Sequence, residues 1–205
     1  MRALTLDDLL PLGDYAGQRR QFFTAHCRYL DRYRRVPLGP GLTLVFENRQ
    51  TLWFRVQELL RIARLADPIL VQEELNVYNR LLPGRDRLQG VLIIAISDEA
   101  RLTEELAFWQ ALPSDGVRLH IGEQTVAARI VTCRPEDRCM GAVHWVQFDI
   151  DGNARRLLRN FRQPAFFEVA HPNGAQQSPP LSEDVRQSLL EDLELSDRDS
   201  SPLAA

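Results

Sequence analysis

Leu42-Thr43-Leu44-Val45-Phe46 is a β-branched and apolar run launched by the turn signal Gly39-Pro40-Gly41, and it reads as a strand. Glu47-Asn48-Arg49-Gln50 ends it, with Asn48 or Thr51 placed to cap a helix beyond. Residues from Leu52 to Leu65 favour helix, and at about 100° per residue Leu52, Val56, Leu59, Leu60, Ala63 and Ala66 form one apolar stripe. Phe54, Ile62 and Leu65 make a second strip, with Glu58 among them. Asp67-Pro68 supplies a cap and a proline for the first helical position, so a new helix starts there. Its apolar face carries Leu70, Val71, Leu75, Val77, Tyr78, Leu81 and Leu82, and Glu74 projects from the middle of it.

A carboxylate removed from water costs several kcal/mol unless a cation, a metal or hydrogen-bond donors compensate it. Glu58 and Glu74 therefore need partners, and Arg49, Arg55 and Arg61 are nearest in sequence. Three readings fit: a buried Glu–Arg network that fixes how the helices pack, a functional polar pocket, since perturbed acidic groups occur in both settings, or a face that is partly exposed.

The chain of 205 residues carries a net charge of −3, with 44% apolar and 26% charged residues, which is the balance of an ordinary globular protein. It has no apolar run of bilayer-spanning length. Met1-Arg2-Ala3-Leu4-Thr5-Leu6-Asp7-Asp8 turns acidic where a signal peptide needs its apolar core, so a cytoplasmic location is expected. Every strongly basic side chain is arginine, and the absence of lysine excludes Schiff-base chemistry, a phosphate-loop lysine and pyridoxal phosphate attachment. Cys27, Cys133 and Cys139 match no common metal spacing and read as free thiols, with a Cys133–Cys139 disulfide across a tight turn as the alternative.

Thr5-Leu6-Asp7-Asp8 resembles a capping box and starts a short helix to Leu10. A longer helix runs from Asp14 to about Arg35, with Tyr29 and Tyr33 among six arginines from Arg19 to Arg35. That mixture suits a polyanion, but the acidic net charge and the lack of an RNA-binding motif favour a solvated face, so nucleic acid is not an expected partner. Leu88 to Ile96 is a nearly continuous apolar run, the pattern of a central strand covered on both faces. Ser97 or Asp98 caps a helix to about Leu112; Val117–Ile121 and Thr125–Val131 form a hairpin; Cys133–Gly141 is a loop; Ala142–Ile150 is a strand; Asp151 caps a short helix; Ala165–Ala170 is the last strand. The resulting fold is α+β: a mostly antiparallel sheet of five or six strands with helices packed on it. Residues 1–36 form an N-terminal helical segment, 37–172 the core and 173–205 a flexible acidic tail, in which Ser182–Leu195 has the pattern of a short helix. The basic helix and this tail have opposite charge, which suits an intramolecular cover or a docking pair between subunits, so an oligomer stays open.

His144 shares one strand face with Ala142, Val146, Phe148 and Ile150 and so points toward the core. It reads as a structural histidine unless it faces Glu58 or Glu74. In that case two carboxylates and an imidazole make a plausible set for Fe(II) or Mn(II).

Leu38-Gly39-Pro40, Phe46-Glu47-Asn48-Arg49, Gln57-Glu58-Leu59-Leu60-Arg61, Glu74-Leu75, Tyr78-Asn79, Leu82-Pro83 and Val143-His144 resemble the motifs of a bacterial domain-of-unknown-function family. The likeness extends to about His171, and departs at Ala63, where the family often has an acidic residue. Members of that family are often encoded beside rubrerythrin-like and Fe–S oxidoreductase proteins, so the resemblance implies a redox or peroxide-related setting and partners from such an operon. The chain itself lacks His-Glu-x-x-His, Gly-x-Ser-x-Gly, a glycine-rich nucleotide loop and the Glu-x-x-His pair of ferritin-like proteins. The expected function is an accessory protein that binds an anionic or zwitterionic small molecule through Glu47, Arg49, Glu58, Arg61, Glu74 and Tyr78. The alternative is an Fe- or Mn-dependent redox enzyme with Glu58, Glu74 and His144 as metal ligands.

Overall fold

Residues 1–113, 115–131, 142–171 and 174–200 are described by the computed structural model, side chains of 195–200 excepted. Cys133, Cys139 and the 133–141 loop lie outside these residues, while Cys27 is a free thiol.

The apolar run Leu42–Phe46 is the strand β2, and it forms a hairpin with β1 (Arg35–Gly39). The turn requires glycine. Gly41 has φ +73°, and a Cβ there would lie 2.6 Å from the Ala95 carbonyl oxygen. On its other side β2 pairs with β3 (Arg87–Ile94), which pairs in turn with β6 (Val143–Asp149). The apolar Leu88–Ile96 run is thus an interior strand, as its composition requires. β4 (Val117–Ile121), β5 (Gln124–Val131), β7 (Ala165–Val169) and β8 (Gln176–Gln177) complete an antiparallel sheet of order β1-β2-β3-β6-β5-β4-β7-β8.

Eight strands among the described residues replace the expected five or six. β1 carries Pro37 and two arginines at its approach, so it reads as the tail of a helix; a chain edge tolerates the proline because one side makes no ladder bonds. β8 has only two residues and exists through its pairs with Glu168 and Val169. β7 and β8 come round to β1, so the sheet nearly closes into a barrel. Its interior holds Phe46, Phe148 and Phe167, with ring centroids 5.2–6.1 Å apart.

α5 (Gly152–Arg159) and α6 (Glu183–Ser200) add Ala154, Leu158, Val185, Leu189, Leu190 and Leu193 to that same core. The segment expected to trail as a flexible tail is therefore an integral helix. Its acidic residues disguise an apolar face of four buried side chains. Arg186 fixes it further: this buried guanidinium donates to the carbonyls of Leu157, Leu158, Asn160 and Gln163, at and just beyond the C-terminus of α5, where Leu157 and Asn160 also accept the backbone amides of Asn160 and Gln163.

Outside the barrel lies a second apolar cluster, made by α2 (Arg49–Ala63), α3 (Pro68–Asn79) and the N-terminal stretch of the chain. Leu52, Val56, Leu60, Val71 and Leu75 pack with Leu4, and Trp145 meets them from the outward face of β6. The caps are those the sequence announces: Asn48 accepts from the Thr51 amide, Asp67 from Ile69 and Asp151 from Ala154. The second apolar strip of α2 is covered at Phe54 and open at Ile62, which is 69% exposed, while the wide face of α3 is buried at Val71, Leu75 and Leu81 and open at Leu70. Glu74 is consequently half-buried at the margin of the layer.

α1 (Leu12–Tyr29) stops short of the expected Arg35. A wide π turn, Leu30–Arg34, comes after it before the chain straightens into β1. Arg34, one of the arginines expected on a wet face, is turned inward there and is 2% exposed.

Candidate functional site

The expected site residues fall into separate places. Glu47 is buried against Arg55, whose Nε and Nη2 lie 2.7 and 2.6 Å from Oε1, and it accepts the Thr51 hydroxyl as well. Glu58 accepts from the Tyr15 hydroxyl at 2.8 Å, from Arg19 Nε and Nη2 at 2.9 Å and from Arg61 Nη2 at 3.0 Å. Burial opposes ionisation of Glu58, but the hydrogen bonds from Arg19, Arg61 and Tyr15 outweigh it and hold its pKa down at about 2. Burial and the Glu58 carboxylate together push the Tyr15 hydroxyl far up. Glu58 thus has the arginine partners that a carboxylate among apolar neighbours needs, with Arg61 anticipated and Arg19 not.

Glu74 and Tyr78 sit half-buried on α3. His144 is buried in β6 opposite Leu92, as its strand position requires. Among the described residues no three His, Cys, Asp or Glu side chains are grouped to hold a metal ion, so Glu58, Glu74 and His144 are not brought together.

Arg49 alone leads elsewhere, to an open cleft of about 710 Å³ between the N-terminal segment, the start of α2 and α6. Its floor is ionic. Arg34 and Asp192, each with a 2% exposed side chain, form a two-pronged pair: Nη1 meets Oδ2 and Nη2 lies 3.2 Å from Oδ1. Asn48 spans the gap, giving its amide hydrogens to the Tyr29 hydroxyl at 2.8 Å and toward Asp192 at 3.5 Å. The Asn48 orientation is fixed by its capping duty, because its oxygen is spent on the Thr51 amide. Tyr29 also accepts from Arg34 Nε at 3.0 Å, so both its lone pairs are used. Burial raises the Asp192 pKa above the ordinary carboxylate range, with Arg34 opposing.

The rim is built by the first eight residues. Leu4 is pinned to α3 by a reciprocal pair with Asn79, amide to Oδ1 at 2.8 Å and Nδ2 to carbonyl at 2.9 Å. Trp53 donates to the Asp8 carbonyl at 2.8 Å. These bonds place Asp8 over the start of α2, where a single oxygen, Oδ1, lies 2.6 Å from both Arg2 Nη2 and Arg49 Nη2. Burial works against the Asp8 carboxylate, yet Arg49 and the Thr5 amide and hydroxyl hold its pKa well below the usual range. The first amide of α2, on Arg49, meets only the weak acceptor Met1 Sδ, at 3.3 Å.

Fold and site define a mixed helix–sheet protein: a nearly closed eight-stranded antiparallel sheet among the described residues, a helical layer on its outside, and an arginine-rich cleft bordered by the C-terminal helix. Residues 3–193 match the family described as Protein of unknown function (DUF3501), and the chain belongs to that family. The match takes in most of α6, beyond the expected limit at His171. The chain is also similar to a solved structure described as a novel protein of unknown function from Burkholderia pseudomallei K96243, with 29% identity and a TM-score of 0.83, covering 94% of this chain and 100% of that one. No curated protein matches the chain. Among the described residues no helix is long and apolar enough to cross a membrane.

Proposed function

We propose that this protein is a non-catalytic binding protein for a small molecule bearing a carboxylate or phosphate, held in the cleft between Met1 and Asp192. The observation that carries this reading is the sharing of one Asp8 oxygen by Arg2 and Arg49. One oxygen cannot absorb two forked guanidinium groups, and Arg49 Nε, which is buried, meets no acceptor among the described residues. Beside these donors stands the start of α2, whose dipole favours a negative charge. The Arg34–Asp192 floor is rigid and internally neutralised, so it shapes the cleft without repelling an anion.

Thermal shift against inorganic phosphate, succinate and citrate, with sodium chloride at matched ionic strength, tests this. A bound anion at a hundred times its Kd stabilises by about 2.7 kcal/mol, or roughly 5–11 °C in Tm for a domain of this size. Wild type is expected to respond to at least one anion and Arg49→Gln to lose the response while keeping its unliganded Tm within a few degrees. A response no larger than that to sodium chloride, or equal in the variant, refutes the proposal.

A further inference from the structure

A second cavity, of about 280 Å³, lies elsewhere on the molecule, between the β1–β2 turn, the end of β3 and α4 (Leu102–Gln110). Trp109 lines it, is 1% exposed, and has its indole Nε1 buried with no acceptor among the described residues. Gln176 lines it too, and its Oε1 is buried with no donor among those residues. An unmet buried group of either kind costs about 1–3 kcal/mol, so one orphan donor and one orphan acceptor on one cavity ask for a common partner.

The placement of Gln176 is built in. Its Oε1 rests over Gly39, where a Cβ would come within 2.3 Å, and Gly39 has φ +142°, which few side chains tolerate. Charge on the walls is uneven. Glu105 takes Arg101 at 2.8 Å and lies 3.7 Å from His171 Nε2, while Asp98 caps the Ala100 amide with one oxygen only. Two carboxylates thus face a single guanidinium and the His171 imidazole. The Trp109 and His171 rings, with centroids 5.6 Å apart, add an aromatic wall that suits an ammonium group.

We infer that this cavity binds a compact zwitterion of amino-acid size, its oxygen accepting from Trp109 Nε1 and its amine donating to Gln176 Oε1 and the Asp98 and Glu105 carboxylates. The volume equals roughly nine waters at about 30 Å³ each, enough for a small amino acid and too small for a nucleotide. This site shares no residue with the cleft at Arg49, and its ligand differs in that an amine is required of it.

The indole resonance of Trp109, assigned by comparison with Trp109→Phe, reports on the site in ¹⁵N-labelled protein. Titration with glycine and alanine is expected to shift that resonance saturably, whereas acetate alone and methylamine alone each bind at least tenfold more weakly. Gln176→Leu and Glu105→Gln, two changes of little bulk, are each expected to weaken the alanine response at least fivefold. The inference fails if no amino acid shifts the resonance saturably, in which case ordered water alone meets Trp109. It fails equally if acetate matches alanine, or if both variants bind as wild type does.

Discussion

Replacing Asp192 by leucine leaves the Arg34 guanidinium with a 2% exposed side chain and no carboxylate across from it. Of its bonds at the cleft floor only the one from Nε to the Tyr29 hydroxyl, at 3.0 Å, survives. Breaking a buried pair on one side costs about 3–5 kcal/mol, because the remaining charge is desolvated and unmatched. For a chain of this length that corresponds to a fall of roughly 6–20 °C in Tm. Arg34→Met removes the guanidinium that faces Asp192 and one of the two bonds to the Tyr29 hydroxyl, and is expected to cost stability as well. The double variant, with two apolar side chains meeting where the charges met, is expected to recover most of either loss, since apolar replacement of a buried pair is often neutral or better. Urea unfolding of the four proteins at pH 7 closes the cycle, with a coupling of about 3 kcal/mol or more expected. Single losses below about 1 kcal/mol, or strict additivity, would mean that water reaches Arg34 and that the cleft has no ionic floor.

Glu58 has a folded pKa of about 2 against an ordinary 4.5, so its contribution is complete above about pH 4.5 and is lost as pH falls from there toward 2. Discounted for its partly solvated arginines it amounts to about 1–2 kcal/mol, and Glu58→Gln should flatten the acid limb of urea stability by that amount. Arg186→Met removes the guanidinium that four carbonyls share, leaving Leu157 and Asn160 their backbone donors, and should cost at least about 2 kcal/mol, with faster amide exchange in α5 and in Asn160–Gln163; unchanged exchange there would refute the capping role. A chain cut after Ser178 loses Val185, Leu189, Leu190 and Leu193 from the core, about 6–12 kcal/mol of burial, and should show no cooperative unfolding; a sharp transition would show that the barrel stands without α6.

What the sequence reveals and what it conceals divide by range. Asn48, Asp67 and Asp151 act within three residues of themselves, and their helix starts are legible. His144 is placed by strand alternation, and its buried position agrees. By contrast, β8 is defined by its partners in β7, and no local pattern marks it. The need of Glu58 for a cation is plain from its apolar neighbours, but Arg19 is 39 residues away on another helix. Arg34 is hidden among arginines that look alike in one dimension; the π turn that separates it from them is a tertiary outcome. The acidic C-terminus misleads for a simple reason. Its charge dominates composition, while its part in the fold depends on four buried apolar residues and on two buried charged ones, Arg186 and Asp192.

The span between Arg34 and Asp192, 158 residues, also sets an order of events during synthesis. At about 5–20 residues per second a ribosome needs roughly 8–30 s to travel from one to the other. Throughout that interval the N-terminal helices exist without the carboxylate that neutralises Arg34 and without the leucines that complete the barrel core. The fold is thus expected to wait until α6 has emerged, and a message broken even shortly before it should yield a chain with exposed apolar surface rather than a smaller working domain. Synthesis through Leu193 is what the closed core registers.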